Sequence, residues 1–123
     1  KIRHFTTFDE CNPKTYNHST STRLLPHLLH TFTLKHKCGS QEEADFLDAA
    51  LVLATIESVQ NFERLRQTSA KCSHRFGFSM EFANQEGYEF YNQHPSHTIF
   101  VEQHWIPEVA EFQEIDYEIY SKP

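Results

Sequence analysis

The chain has 123 residues, a formal net charge of -6 and 38% apolar residues, with eleven Phe and five Tyr among its aromatic rings. That length suits one domain with a real core, and a few large rings can close such a core. The acidic balance, with no Lys/Arg cluster, argues against a protein that lives on nucleic-acid phosphates. No apolar run approaches the roughly 18 residues of a membrane-spanning helix.

Residues 1–27 read as an N-terminal extension. Ile2 to Phe8 suits a short strand, and Asp9 to Arg23 is a polar stretch with Asn12-Pro13 and a Ser/Thr run. This composition predicts an arm that packs across the domain or its dimer interface, with 2–8 as an added edge strand. Cys11, Cys38 and Cys72 are an odd set without a C-x-x-C pair. They are expected as free thiols of a reducing compartment, with one disulfide and a spare thiol as the alternative. The expected location is cytoplasmic. The start at Lys1 and the Asn17-His18-Ser19 sequon leave a secreted form open.

The regular domain begins near Leu28. Leu28, His30, Phe32, Leu34 and His36 alternate with Leu29, Thr31, Thr33, Lys35 and Lys37, which is strand periodicity. Cys38-Gly39 breaks it. Ser40 and Glu43 form a capping box, and Ala44, Leu47, Ala50, Leu51 and Ala54 follow at helical spacing, predicting a helix over about 41–56. A second strand is expected at 58–67, where Val59, Phe62 and Leu65 depart from strict alternation and allow a bulge. Phe76, Phe78, Met80 and Phe82 mark a third strand, and Gly77 within it signals close approach by a chain segment or ligand. Asn84 caps a helix reaching about Gln93, and Pro95 suits the first position of the next helix. Phe100, Val101, His104 and Trp105 lie on that second helix, and Pro107 is expected to stop it. Glu108 to Gln113 reads as a helical turn or loop. Ile115, Tyr117 and Ile119 then mark a final strand. The order strand, helix, strand, strand, broken helix, strand predicts an α+β, ferredoxin-like fold: a four-stranded antiparallel sheet with its helices on one face.

Four segments resemble the stress-responsive A/B barrel (Dabb) family. They are Leu-Leu-His-Thr-Phe-Thr-Leu-Lys at 28–35, Arg-Phe-Gly-Phe-Ser-Met-Glu-Phe at 75–82, Tyr-Asn-Gln-His-Pro-Ser-His at 91–97 and Phe-Gln-Glu-Ile-Asp-Tyr-Glu at 112–118. The resemblance extends over about residues 28–120, so 28–123 is taken as the domain. It implies a homodimer in which two sheets close face to face into a barrel. It also implies one of several activities: polyketide cyclases of the olivetolic acid cyclase type, hydroxynitrile lyases, or stress proteins with no assigned reaction. In the cyclase type a tyrosine and a histidine around the His-Pro-x-His element form the catalytic pair. By position these are Tyr91 and His97, with His30 on the first strand lining the same pocket. A further pocket histidine of that type is absent, because Phe76 stands at its place and His74 is two residues away.

The chemistry suits these residues. Proton removal next to a carbonyl needs a base that titrates near neutrality, as histidine does. The resulting enolate needs a donor aimed at its oxygen, which a tyrosine hydroxyl supplies. The candidate catalytic residues are therefore His97 as base, Tyr91 as donor and His30 as an orienting or second acid–base group. Phe32, Phe76, Phe78 and Trp105 are the candidate ligand-contacting rings of a small, apolar, carbonyl-containing compound. Each histidine also has a structural alternative, such as a carbonyl contact that fixes the turn at Pro95. His94 is expected to face solvent. No metal or other cofactor is expected: His97 and His104 are about 10 Å apart along one helix, too far to share an ion. Cys38 and Cys72 have no evident basic partner for a nucleophile. Two functional readings remain: a cofactor-free cyclase-, lyase- or isomerase-like enzyme, or a non-catalytic, stress-responsive dimeric ligand-binding protein. Neither nucleic acid nor membrane is an expected partner.

Overall fold

A computed structural model of the chain describes residues 27–118 and Tyr120. The expected strand at 2–8, the arm around it, Cys11, the Asn17 sequon and Ile119 lie outside the described residues. Four strands, β1 (His27–Leu34), β2 (Gln60–Arg66), β3 (Phe76–Glu81) and β4 (Val109–Tyr117), form one sheet in the order β2-β3-β1-β4. All three pairings are antiparallel, as the ferredoxin-like reading requires. Gly77 sits where a Cβ would come within 3.2 Å of the His30 carbonyl oxygen. The close approach signalled by that glycine is thus the backbone of β1.

Helix α1 (Gln41–Ala49) starts on the expected cap, with the Ser40 hydroxyl accepting from the Glu43 N–H at 3.2 Å. The reciprocal arm of the box reaches one residue beyond the cap, where the Gly39 N–H donates to Glu43 Oε1. One continuous helix to about 56 was expected, and here the structure differs. The chain tightens into a 3-10 helix over Ala50–Thr55. Three residues per turn place i and i+3 on one line. Ala50, Leu53 and Ile56 accordingly form a buried row, while Leu51, Val52, Ala54 and Thr55 stay exposed. The expected bulge in β2 appears as a register shift between Gln60 and Glu63, with Asn61 at φ 54°.

Helix α2 (Gln85–Gln93) is capped by the Asn84 side chain, which accepts from the Gly87 N–H at 2.8 Å. Helix α3 (Pro95–Phe100) follows at once, with Pro95 in its first turn. The next five residues, Val101–Trp105, wind as a π-helix, and the short α4 (Ile106–Glu108) carries Pro107. Pro107 therefore does not stop the helix as expected. A proline ring clashes with the carbonyl four residues back in regular winding, and the wider turn just before it relieves that crowding. The expected loop at 108–113 is also overturned: β4 begins at Val109. Residues 109–113 pair with β1 from Leu34 to Thr31, so the first strand is matched along its whole length.

The even-numbered residues of β1 and β3 face the helices and form the core. Phe32, fully buried, is its centre, with ring centroids 4.6 Å from Phe78, 5.1 Å from Trp105 and 5.7 Å from Phe46. Burying each such ring contributes on the order of 2–3 kcal/mol. Glu108 locks the closing corner, because its carboxylate meets His36 Nε2 at 2.7 Å and His104 Nδ1 at 2.9 Å. That corner fixes the π-turn, and Trp105 with it, over the sheet. Among the described residues no helix is long and apolar enough to cross a membrane.

Candidate active site

The helices do not fill the space over β1 and β4. A cavity of about 520 Å³ remains there, walled by His30, Phe78 and Met80 from the sheet and by Tyr91, His97 and Phe100 from the helices. Trp105, Ile106, Phe112 and Glu114 line it on the β4 side. The three candidate catalytic residues thus share one cavity.

His97 lies three residues after His94, whose ring accepts from the Ser96 N–H at 3.0 Å and so caps α3. His94 is therefore a turn-forming group, half-buried, and is absent from the cavity lining. The turn directs His97 back to the end of α2, where Nδ1 lies 3.1 Å from the Asn92 carbonyl oxygen. A carbonyl oxygen only accepts, so Nδ1 carries the proton. In the neutral ring Nε2 then holds the free lone pair. Burial lowers the pKa of His97, against an opposing contribution from the Asn92 hydrogen bond. Burial prevails, and the net shift favours the neutral, basic form at neutral pH.

Tyr91 is buried with its ring centroid 4.4 Å from that of His97. Burial first, then the nearby Glu114 carboxylate and Tyr88, push its hydroxyl pKa well up. Tyr91 is accordingly a firm hydrogen-bond donor and not a base. His30 sits on β1 beneath Trp105, edge to face at 5.2 Å. Both of its ring nitrogens are buried without a hydrogen-bond partner. Burial, helped by His97, lowers its pKa from 6.5 to about 4. A buried polar atom without a partner costs on the order of 1–3 kcal/mol, and His30 holds a donor and an acceptor in that condition at the cavity wall.

Of the four rings expected to contact a ligand, Phe78 and Trp105 line the cavity. Phe32 and Phe76 do not. They lie further along the same sheet face, where Phe46 and Trp105 cover Phe32 and Phe76 packs against it at 6.0 Å. His74 is buried elsewhere, hydrogen-bonded through Nδ1 to the Thr31 hydroxyl at 2.8 Å, and takes no part in the cavity. Cys38 has a basic neighbour that the sequence did not reveal: Arg75 reaches its sulfur at 2.6 Å. Cys38 and Cys72 are free thiols.

Glu114 is the site residue that sequence reasoning missed. It stands directly opposite His30 across the β1–β4 pair. The Tyr88 hydroxyl donates to its Oε2 at 3.4 Å. Burial and the Asp116 carboxylate raise the Glu114 pKa, while burial and these same carboxylates push Tyr88 up to about 12. The available signal was cross-strand register, because the residue paired with His30 must share its face. Among the described residues no group of three or more His, Cys, Asp or Glu side chains is placed to hold a metal ion.

A βαββαβ sheet with one helical layer and a histidine- and tyrosine-lined cavity between them defines the class as an α+β, ferredoxin-like domain. The stress responsive A/B barrel domain model matches residues 27–119, and the chain belongs to this family. A Dabb family protein from Mesorhizobium loti is 48% identical, with 80% of this chain and 99% of that chain aligned at a TM-score of 0.77. A dimeric ferredoxin-like protein of unknown function from Bacteroides fragilis aligns over 77% of this chain and 96% of its own, at 17% identity and a TM-score of 0.61. The hydroxynitrile lyase of Passiflora edulis aligns over 81% of this chain and 97% of its own, at 7% identity and a TM-score of 0.70. At such identities the last two share the fold alone. No curated protein matches the sequence.

Proposed function

We propose that this protein is a homodimeric, cofactor-independent acid–base enzyme that acts on a small, mostly apolar carbonyl compound, in a cyclase-, lyase- or isomerase-type reaction. The observation that carries the reading is the protonation geometry of His97. With Nδ1–H held by the Asn92 carbonyl, Nε2 is the basic nitrogen, and the same residue lines the cavity. His97 takes the proton next to the substrate carbonyl. The Tyr91 hydroxyl, beside it and hard to ionise, donates to the oxygen on which charge develops. His30 orients the substrate through the ring nitrogens that have no protein partner. The mostly apolar walls lower the local dielectric, which strengthens both polar interactions. A dimeric relative of the same fold supports the homodimer, and a lyase on that fold supports small-molecule chemistry in its pocket.

The test is exchange of protons for deuterium next to the carbonyl of an aryl ketone such as phenylacetone, followed by NMR in deuterated buffer. The protein is expected to accelerate exchange above buffer. His97→Ala and Tyr91→Phe are each expected to lower the rate by about 10²-fold or more, the typical contribution of a positioned acid or base. Folded variants that exchange the probe as fast as the parent would refute the roles given to these two residues.

A further inference from the structure

We propose that Glu114 makes the cavity selective by charge, so that it takes ligands ending in a hydroxyl or ammonium group and turns away carboxylates. The inference rests on the pocket reading above and names the ligand class for it. Three observations carry it. Glu114 lines the cavity, opposite His30 and two residues from Asp116 on the same face of β4. No Lys or Arg is among the described residues that line the cavity, so a ligand carboxylate would meet like charge with no cation to offset it. The hydrogen bond from Tyr88, 3.4 Å long, leaves most of the acceptor capacity of Glu114 unused.

The rest of the lining fits the same ligand. His30 and His97 are held neutral by burial, so neither supplies a compensating positive charge. Trp105 and Phe112, 5.5 Å apart at 73°, present aromatic surface that accepts an apolar skeleton and attracts a cation by its π-face. A donor group at Glu114 would gain a charge-assisted hydrogen bond. An ammonium would also relieve the repulsion between Glu114 and Asp116.

Trp105 is the only tryptophan in the chain, so its fluorescence reports directly on the cavity. The experiment titrates the full-length protein near neutral pH with phenylpropanol, phenylpropylamine and phenylpropionate, which share one skeleton and differ in the end group. The alcohol and the amine are expected to bind at least about tenfold tighter than the carboxylate, the scale of one partly screened like-charge contact at the exposed Glu114. In Glu114→Gln, which keeps the shape and removes the charge, the carboxylate is expected to bind within about threefold of the alcohol. Equal binding of all three by the parent protein would overturn the inference and leave the pocket reading standing. An unchanged preference in Glu114→Gln would overturn it as well. Binding of none of the three would overturn the pocket reading and the inference together.

Discussion

His30→Leu isolates the electrostatics of the cavity. In the folded protein burial lowers the His30 pKa from 6.5 to about 4. Above pH 6.5 the ring is neutral in both folded and unfolded chains, and titration has no effect on stability. As the pH falls from 6.5 towards 4 the unfolded chain takes up a proton that the folded chain refuses, so stability is lost. Below 4 both states are charged and the loss is complete. At pH 5 the linkage amounts to about 2 kcal/mol, and the full window to about 3 kcal/mol. Leucine has no proton to bind, and it also removes two unpartnered buried nitrogens. The assay is urea unfolding of parent and variant at pH 7 and pH 5. The variant is expected to equal or exceed the parent in stability at pH 7, and to be favoured by about 2 kcal/mol more at pH 5. If the gap between the two proteins is the same at both pH values, His30 is not buried as described.

Three further outcomes follow from the geometry. The half-fall of proton exchange catalysed by the protein is expected below pH 6.5, the ordinary histidine value, because burial lowers the His97 pKa; a half-fall above pH 6.5 would contradict this. Phe32→Ala removes the ring at the centre of the aromatic core and is expected to cost about 3–5 kcal/mol in chemical denaturation, the range for buried aromatic truncations. Ser40→Ala leaves the Glu43 N–H without its cap and is expected to cost about 1 kcal/mol, with the cavity unaffected in ligand titrations.

The contrast between Ser40 and Glu114 shows why some of this protein was legible in its sequence. The Ser40 cap, the Asn84 cap and the Pro95 start of α3 each depend on groups within four residues of one another, and all three formed as read. The strand signals at 28–34 and 76–81 were equally clear, since a buried face demands alternation. Pro107 misled because its effect depends on the turn before it, and a π-turn took up the strain. The stretch at 108–113 misled because Val109, Ala110 and Phe112 give no regular apolar alternation, yet β1 supplies backbone partners for it from Val109 onward, across a register shift at Thr33/Leu34.

Residue chemistry and local spacing alone therefore determined the order of elements and the antiparallel ferredoxin-like class, and the resemblance to the Dabb family pointed to Tyr91, His97 and His30 as the residues worth testing. Only tertiary structure placed those three around one cavity, moved Phe32 and Phe76 out of its wall and brought Glu114 in. The physical reason lies in strand register. Ile115 and Tyr117 give β4 its visible apolar pattern, and taken alone that pattern marks their face as the inner one. Pairing with β1 turns Glu114 to the helices opposite His30 and sends Ile115 to the other face opposite Leu29. Such a pairing joins residues far apart in the chain, and no local preference of either segment records it.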